Sequence, residues 1–395
     1  MIALIAAFGM QSTGIVEWLD PTWNYVSVQA VVKVPPLTAN EHNLLTQIVS
    51  TLDESATYRA VQVADVAART GSRLRANLMP DHIRIGMEVV PADTAIGVSM
   101  VASVLREPVV APERIDAAGQ DLRFRRSGYW RQALGPSTFE PARYLPRDVS
   151  ELMERVFRPD NVTLAVGGNL TPGVASAKWD EIRAAWTVRK LEPDRKLIQK
   201  PRQAAAINAT LSVIELAGEP FSATDAAFAT RLLALTALGT GKAASLWKVA
   251  RDGLGVSYRQ EAVLSPTPFG FEPRLMVAHA GDGNLEELGT KIREGLISEI
   301  AAWTDIDRKR ALGMAESFLV RGGDLNPLYF ASGRPAGADL ADQTFLQAYW
   351  LMKTGTRWNP HGLVGRMGFV ELADLKSTAE KMFSSARLLI HKGRD

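Results

Sequence analysis

The chain has 395 residues, too many for one hydrophobic core, and this length predicts two domains of roughly 200 residues each. Its 45 Lys and Arg nearly balance 43 Asp and Glu, which argues against a nucleic-acid-binding protein. It contains no cysteine, which excludes disulfides, thiolate zinc sites and cysteine nucleophiles.

The first ten residues, MIALIAAFGM, are apolar but have no preceding Lys or Arg. They are predicted to form either a short signal segment or a plain first strand. No later stretch approaches the ~20 apolar residues that a membrane span needs, so we expect no integral membrane segment.

The first half predicts a regular series of elements. A helix over 61–70 ends at Gly71, a strand pair ends in 85–90, and a helix opens at Asp93. A further helix with an acidic start follows Pro112 and Glu113. The half closes with an amphipathic helix over 148–157 and a buried strand over 162–168.

The second half repeats this series after an apolar helix over 228–238. A helix around 246–250 ends at Gly253 and Gly255, a strand pair ends in 275–279, and a helix follows over 284–302. The next helix starts with acidic residues at 305–307. A helix over 374–383 and a strand over 387–393 close the chain, as in the first half.

The repeated order of elements predicts an internal duplication. We expect an α+β fold of two homologous domains, each an antiparallel sheet with helices packed mainly on one face. The predicted boundaries are 1–190 and 206–395, joined by a charged, proline-containing linker at 191–205.

Three stretches carry a resemblance to a known family: PDHIRIGMEVVPADTAIGVSMVASVLREPVVAPERI, RPDNVTLAVGGNL and GTGKAASLWKVARDGLGVSYRQEAV. They resemble the pitrilysin and insulinase zinc metallopeptidases. The similarity is strongest to the two-domain branch that includes the mitochondrial processing peptidase and bacterial two-subunit homologues. The similarity spans nearly the whole chain. It implies that the domain in the second half carries an Arg/Tyr pair.

That family binds zinc through an H-x-x-E-H helix and a distant Glu, the motif Glu being the general base. At the corresponding place His42 stands as the first ligand, but Leu45 replaces the base and Thr46 the second ligand. The helix after Pro112 has no Glu beyond Glu113. Catalytic zinc needs three protein ligands, so the resemblance implies a lost zinc motif and zinc in a partner subunit.

The other four histidines, His82, His279, His361 and His391, stand singly with no pair at helical spacing. Because paired ligands on one helix face are missing, we expect them to be structural.

In the resembled fold, an Arg and a Tyr seven residues apart reach across a closed chamber and hold the substrate carbonyl. Arg251 and Tyr258 match that pattern. A guanidinium and a phenol are suitable donors to an oxyanion. The alternative is an Arg favoured by a helix C-terminus and a Tyr at a strand edge.

The segment Gly239, Thr240, Gly241 lacks the spacing of a phosphate loop. It is predicted to stop the preceding helix, with Gly239 as the cap. The resemblance also implies a substrate loop at Gly239 and Gly241.

Three functions stay open at this point. The first is a non-catalytic subunit that binds peptide and pairs with an active H-x-x-E-H peptidase subunit as a heterodimer. The second is a structural assembly subunit like the respiratory core proteins. The third is a peptide-binding homodimer that adds a strand to a sheet edge. The sequence does not decide the compartment, which is left open between a bacterial cytoplasm and periplasm.

Overall fold

The computed structural model describes residues 14–52, 57–58, 61–69, 71–106, 144–187, 204, 211–257, 259–281, 283–321 and 339–393. The described strands are β1 Ile15–Leu19, β2 Val26–Lys33, β3 Thr57–Tyr58, β4 Val61–Gln62, β5 Arg75–Leu78, β6 His82–Val89, β7 Val162–Gly168, β8 Ser212–Ala217, β9 Gln260–Thr267, β10 Gly270–His279 and β11 Arg387–His391. No described helix is both long enough and apolar enough to cross a bilayer.

The helices of the first half are α1 Ala39–Val49, α2 Val63–Arg69, α3 Thr94–Arg106, α4 Pro146–Val156 and α5 Val174–Ala184. The second half contains α6 Phe228–Gly239, α7 Ser245–Trp247, α8 Leu285–Ala302, α9 Asp305–Val320, α10 Leu340–Thr354, α11 Pro360–Gly368 and α12 Leu372–Phe383. A π-helix over Lys248–Gly253 continues α7.

The first sheet has the strand order β1-β7-β2-β6-β5. Its central strand β2 pairs antiparallel with β6 and β7, while β1 lies parallel to β7. Alternate residues of β2, such as Val28, point into a core shared with Leu45 of α1, Val101 of α3 and Trp179 of α5. The helices of the first half therefore cover one face of this sheet.

Helix α10 of the second half covers the opposite face of the first sheet. Phe345 and Tyr349 are buried in one core with Val31 of β2 and Ala165 of β7. Gly167 permits this close packing, because a Cβ there would lie 2.0 Å from Trp18 Nε1 and 2.6 Å from Thr344 Oγ1. The first sheet is thus completed by a helix that follows it by more than 170 positions.

The second sheet has the strand order β11-β8-β10-β9 and is antiparallel throughout. Phe271 and Leu275 of β10 pack with Leu232 of α6, Leu296 of α8 and Phe318 of α9. Each of these five side chains is at most 1% exposed, and they belong to the same closely packed core as Phe345 and Tyr349 of α10.

The predicted α+β architecture is confirmed, as are the helix–strand pairs that close each half. One difference is at residues 61–62, which pair as a short strand before α2 begins at Val63. Residues 1–13 and nearly all of the predicted linker at 191–205 lie outside the described residues, so the signal segment and the domain boundaries stay predictions.

Candidate functional site

Helix α1, which carries the predicted motif positions His42, Leu45 and Thr46, begins at a capping box. Thr38 Oγ1 accepts a hydrogen bond from the Glu41 N–H at 3.3 Å, and the Glu41 carboxylate accepts one from the Thr38 N–H at 2.7 Å. Arg155 donates to Glu41 at 2.6 Å. Burial raises the pKa of Glu41, but the bonds from Thr38 and Arg155 outweigh it and hold that pKa below its usual value. Glu41 is therefore committed to capping.

The three motif positions on α1 do not fit a zinc ion. Leu45 is 0% exposed in the first core and has no donor atom. Thr46 Oγ1 donates to the His42 carbonyl of its own helix at 2.7 Å. Half-buried His42 is left as the one imidazole where three protein ligands are needed. Within the described ranges, no three His, Cys, Asp or Glu side chains are grouped to hold a metal; Glu113 lies outside those ranges.

Arg251 lies in the π-helix that continues α7. The wide turn is closed by a bond from the Leu254 N–H to the Val249 carbonyl at 3.0 Å. Gly255, with φ of +65°, reverses the chain toward β9. Single π-turns within helices are frequent at functional sites, and Arg251 is half-buried there. Tyr258 lies outside the described residues, so the pairing of Arg251 with Tyr258 stays a prediction.

Gly239 is the last residue of α6, and the cap position belongs to Thr240, which is extended. The glycine is required by packing: a Cβ at Gly239 would lie 2.2 Å from the Ala262 Cβ on β9. Gly241, with φ of +83°, makes the turn that follows. Arg310 Nη2 donates to the Ala237 carbonyl at 3.0 Å and so satisfies the helix end. A substrate role for Gly239 and Gly241 stays a prediction.

Gly239→Ala is expected to destabilise the protein by about 1–3 kcal/mol, because the added methyl group overpacks the contact with β9. Chemical denaturation measures the change. Gly365→Ala in α11 is the matched control, since no atom lies within 4 Å of the new methyl group. That control should gain about 0.5–1 kcal/mol. An equal response of the two variants would contradict the packing argument.

A buried ion cluster joins the two halves at the turn between β5 and β6. Asp81 is 1% exposed and contacts His82 Nδ1 at 2.6 Å and Lys353 Nζ at 2.6 Å. Tyr349 also donates its hydroxyl to Asp81 at 3.0 Å. We call Asp81, His82, Tyr349 and Lys353 the junction cluster. It assigns His82 a structural role, as the sequence predicts.

The junction cluster shifts two pKa values in opposite directions. Burial raises the pKa of Asp81, but the neighbouring His82 and Lys353 outweigh it and bring the pKa below its usual value. Burial, with the nearby Asp81 charge, raises the pKa of Tyr349 well above its usual value. Asp81 is thus an ionised acceptor and Tyr349 a neutral donor at neutral pH.

Arg84 forms a second link between the halves, on the sheet face beneath α10. Its Nη1 contacts Asp342 Oδ1 at 2.6 Å, and its Nε donates to Gln29 Oε1 at 2.9 Å. The guanidinium also lies 4.6 Å from the ring centre of Phe345. The charge of Arg84 on the first sheet is therefore compensated by Asp342 of α10.

The second sheet contains a comparable set of buried charges. Arg274 contacts Glu272 at 2.5 Å and Glu215 at 3.6 Å, and Glu215 is 2.7 Å from His391 Nε2. All four side chains are at most 4% exposed. We call Glu215, Glu272, Arg274 and His391 the second-sheet cluster.

An arginine contact between neighbouring strands occurs at equivalent positions of the two sheets. Gln29 pairs in register with Gly86, and its partner Arg84 stands two residues earlier on the same strand. Glu215 pairs with Met276, and Arg274 again stands two residues earlier. A diagonal arginine contact of the same kind in both sheets supports the predicted duplication.

The edge strand β5 lies beside α1. It pairs with β6, and no other described strand adjoins it, so its outer edge is unpaired within that part of the chain. Its side chains alternate between exposed and half-buried. An unpaired edge of this kind can accept an extended peptide as a further strand.

The comparisons with known proteins show the fold. No protein-family model and no curated protein matches the sequence. The chain matches the structure of a peptidase M16 inactive domain from Pseudomonas fluorescens with a TM-score of 0.70 and 12% identity, covering 96% of this chain and 97% of that one. A protease from Helicobacter pylori gives 0.72 and 13% over 96% and 97%. A conserved protein from Enterococcus faecalis gives 0.66 and 12% over 96% of each chain.

Proposed function

We propose that this protein is the non-catalytic subunit of a two-subunit zinc metallopeptidase. The observation that carries the proposal is the state of α1: Leu45 is sealed in the core and Thr46 is bonded to its own helix, where a base and a ligand would be needed. The likeness of the whole chain to a peptidase M16 inactive domain supports it. In this proposal zinc belongs to a partner chain with an H-x-x-E-H helix, and this chain closes the chamber.

Arg251 and Tyr258 are proposed to hold the substrate carbonyl in that chamber. The support for this role is that Arg251 is half-buried in the π-helix just before Gly255 redirects the chain. An oxyanion donor of this kind contributes about 10²–10³ in rate.

The test uses the full chain and the peptidase that co-purifies with it from native cells. The mixture is expected to cleave peptides, with zinc bound by the partner and not by this chain alone. Arg251→Ala should lower cleavage by about 100-fold. Arg321→Ala is the matched control, since Arg321 is 70% exposed and pairs with Glu316 on α9.

Two results would count against this proposal separately. Stoichiometric zinc in this chain alone, with peptide cleavage that chelators abolish, would refute the non-catalytic role. Full cleavage by the mixture containing Arg251→Ala would refute substrate binding by Arg251 while leaving the subunit role intact.

The edge of β5, which no other described strand pairs with, favours one alternative, a peptide-binding homodimer without proteolysis. Strand addition beside α1 needs neither zinc nor a second kind of chain. Calorimetric binding of extended peptides by the isolated chain, with no peptidase in its native complexes, would favour this alternative. The third function, a structural assembly subunit, predicts a stable complex whose integrity does not change in Arg251→Ala.

A further inference from the structure

A cleft of about 220 Å³ lies where α10 ends and α11 begins. Its walls are the apolar side chains of Trp350, Trp358 and Leu363 and the polar ones of Arg357 and Arg366. None of its lining residues belongs to α1, β5 or the loop that carries Arg251. A cleft of this volume has room for one small ligand group.

The floor of the cleft is rigid and apolar. Trp350 and Trp358 meet edge to face with ring centres 4.7 Å apart, and both are at most 9% exposed. Gln347 Nε2 donates to the Trp358 carbonyl at 3.2 Å, which fixes the loop after α10. The two indoles therefore form a fixed floor, and the small exposed part of each ring can contact an apolar side chain.

The rim of the cleft is positively charged. Arg357 and Arg366 are exposed, and none of the described carboxylates lines the cleft. Within the described part of the chain, neither guanidinium has an ion-pair or hydrogen-bond partner, whereas Arg308 of α9 contacts Asp305 and Arg321, which follows α9, contacts Glu316. A guanidinium presents a planar fork of donors that matches a carboxylate or a phosphate.

The backbone beside the cleft distinguishes these two anions. Phosphate sites at helix starts use several free backbone N–H groups. Here Pro360 has no N–H, and the Gly362 N–H is already bonded to Asn359 Oδ1 at 2.8 Å. The start of α11 therefore offers a poor cradle for phosphate, and recognition depends on the two arginines and the indole floor.

We propose that this cleft binds a carboxylate that is joined to an apolar side chain, the chemistry of the last residue of a peptide or protein. Arg357 and Arg366 bind the carboxylate, and Trp350 and Trp358 contact the side chain. The site is independent of the proposed peptidase role, because it shares no residue with α1 or Arg251.

Calorimetry on the full chain tests this site with a short peptide that ends in a free phenylalanine carboxylate, the same peptide with an amidated end, and inorganic phosphate. The free acid is expected to bind, and the amide and phosphate at least about tenfold more weakly, since a bond to a charged group is lost. Arg357→Gln and Arg366→Gln should each weaken binding of the acid by about tenfold or more. N-acetyl-phenylalanine binding as well as the peptide would identify the recognised unit as a single residue.

Arg147→Gln is the matched control, because Arg147 is 82% exposed on α4 of the other half. It should leave binding unchanged. Equal affinity for acid and amide, equal affinity for phosphate, no binding of the acid, or unaltered binding by both arginine variants would each overturn the proposal. All three substitutions are at exposed positions, so near-ultraviolet circular dichroism should show native packing in every variant.

Discussion

Asp81→Asn is expected to lower the free energy of unfolding by about 3–5 kcal/mol, because it leaves the Lys353 ammonium in the junction cluster without its counter-charge. Lys353 is 15% exposed in side chain and lies 2.6 Å from the carboxylate, so water can replace the lost partner only in part. The amide keeps the shape of the side chain, which separates the loss of charge from a cavity effect. Urea denaturation at neutral pH measures the difference.

The stability difference between wild type and Asp81→Asn is expected to depend on pH. The pKa of Asp81 is lowered in the folded protein, so its contribution is present above the unfolded pKa of about 3.9 and is lost as pH falls through the folded value. The gap between wild type and Asp81→Asn should therefore be largest near neutral pH and shrink in acid. Asp81→Asn combined with Lys353→Met should recover part of the loss. A gap that does not change with pH would contradict the charge argument.

Arg274→Met is expected to have an effect of similar size in the second half. The arginine is 4% exposed in side chain and is shared by Glu215 and Glu272. Its removal leaves two buried carboxylates with less positive charge beside them. This change is expected to lower the free energy of unfolding by about 3–5 kcal/mol. His391 and Arg387 still contact these carboxylates at 2.7 Å and 2.9 Å, which sets a limit to the loss.

Denaturant unfolding of Arg274→Met, alone and with Glu272→Gln, measures this contribution. The double variant should be more stable than the single one, because one of the two buried carboxylates that lost the arginine has been neutralised. Arg147→Met serves as the exposed control and should change stability by less than about 0.5 kcal/mol. A loss in Arg274→Met no larger than in that control would show that the second-sheet cluster does not contribute to stability.

Sequence reasoning predicts those parts of the fold in which the signal is local. Helix α12 and strand β11 follow from a helical period, a turn and an apolar run within about twenty residues. The duplication follows because the same local pattern occurs twice. The placement of α10 does not follow, because its apolar residues are buried on several sides and their period does not say which sheet they cover.

The candidate site was predictable in part for the same reason. His42, Leu45 and Thr46 lie on one helix, as their spacing indicates, and the structure adds that Leu45 belongs to the core. The junction cluster was not predictable, since Asp81 and Lys353 are 272 positions apart and share no motif. The cleft at Trp358 was not predictable either, because it forms only when the end of α10, the loop after it and α11 pack together.

Helix α10 also determines whether the two halves of the chain can fold separately. It belongs to the second half by position, yet it supplies the counter-charges for Arg84 and Asp81 and the apolar layer over Val31 and Ala165. A polypeptide cut between the halves would expose an uncovered β-face containing unsatisfied ions, a surface prone to aggregation. The two repeats are thus one cooperative folding unit, and an isolated first repeat should be insoluble unless the second is supplied with it.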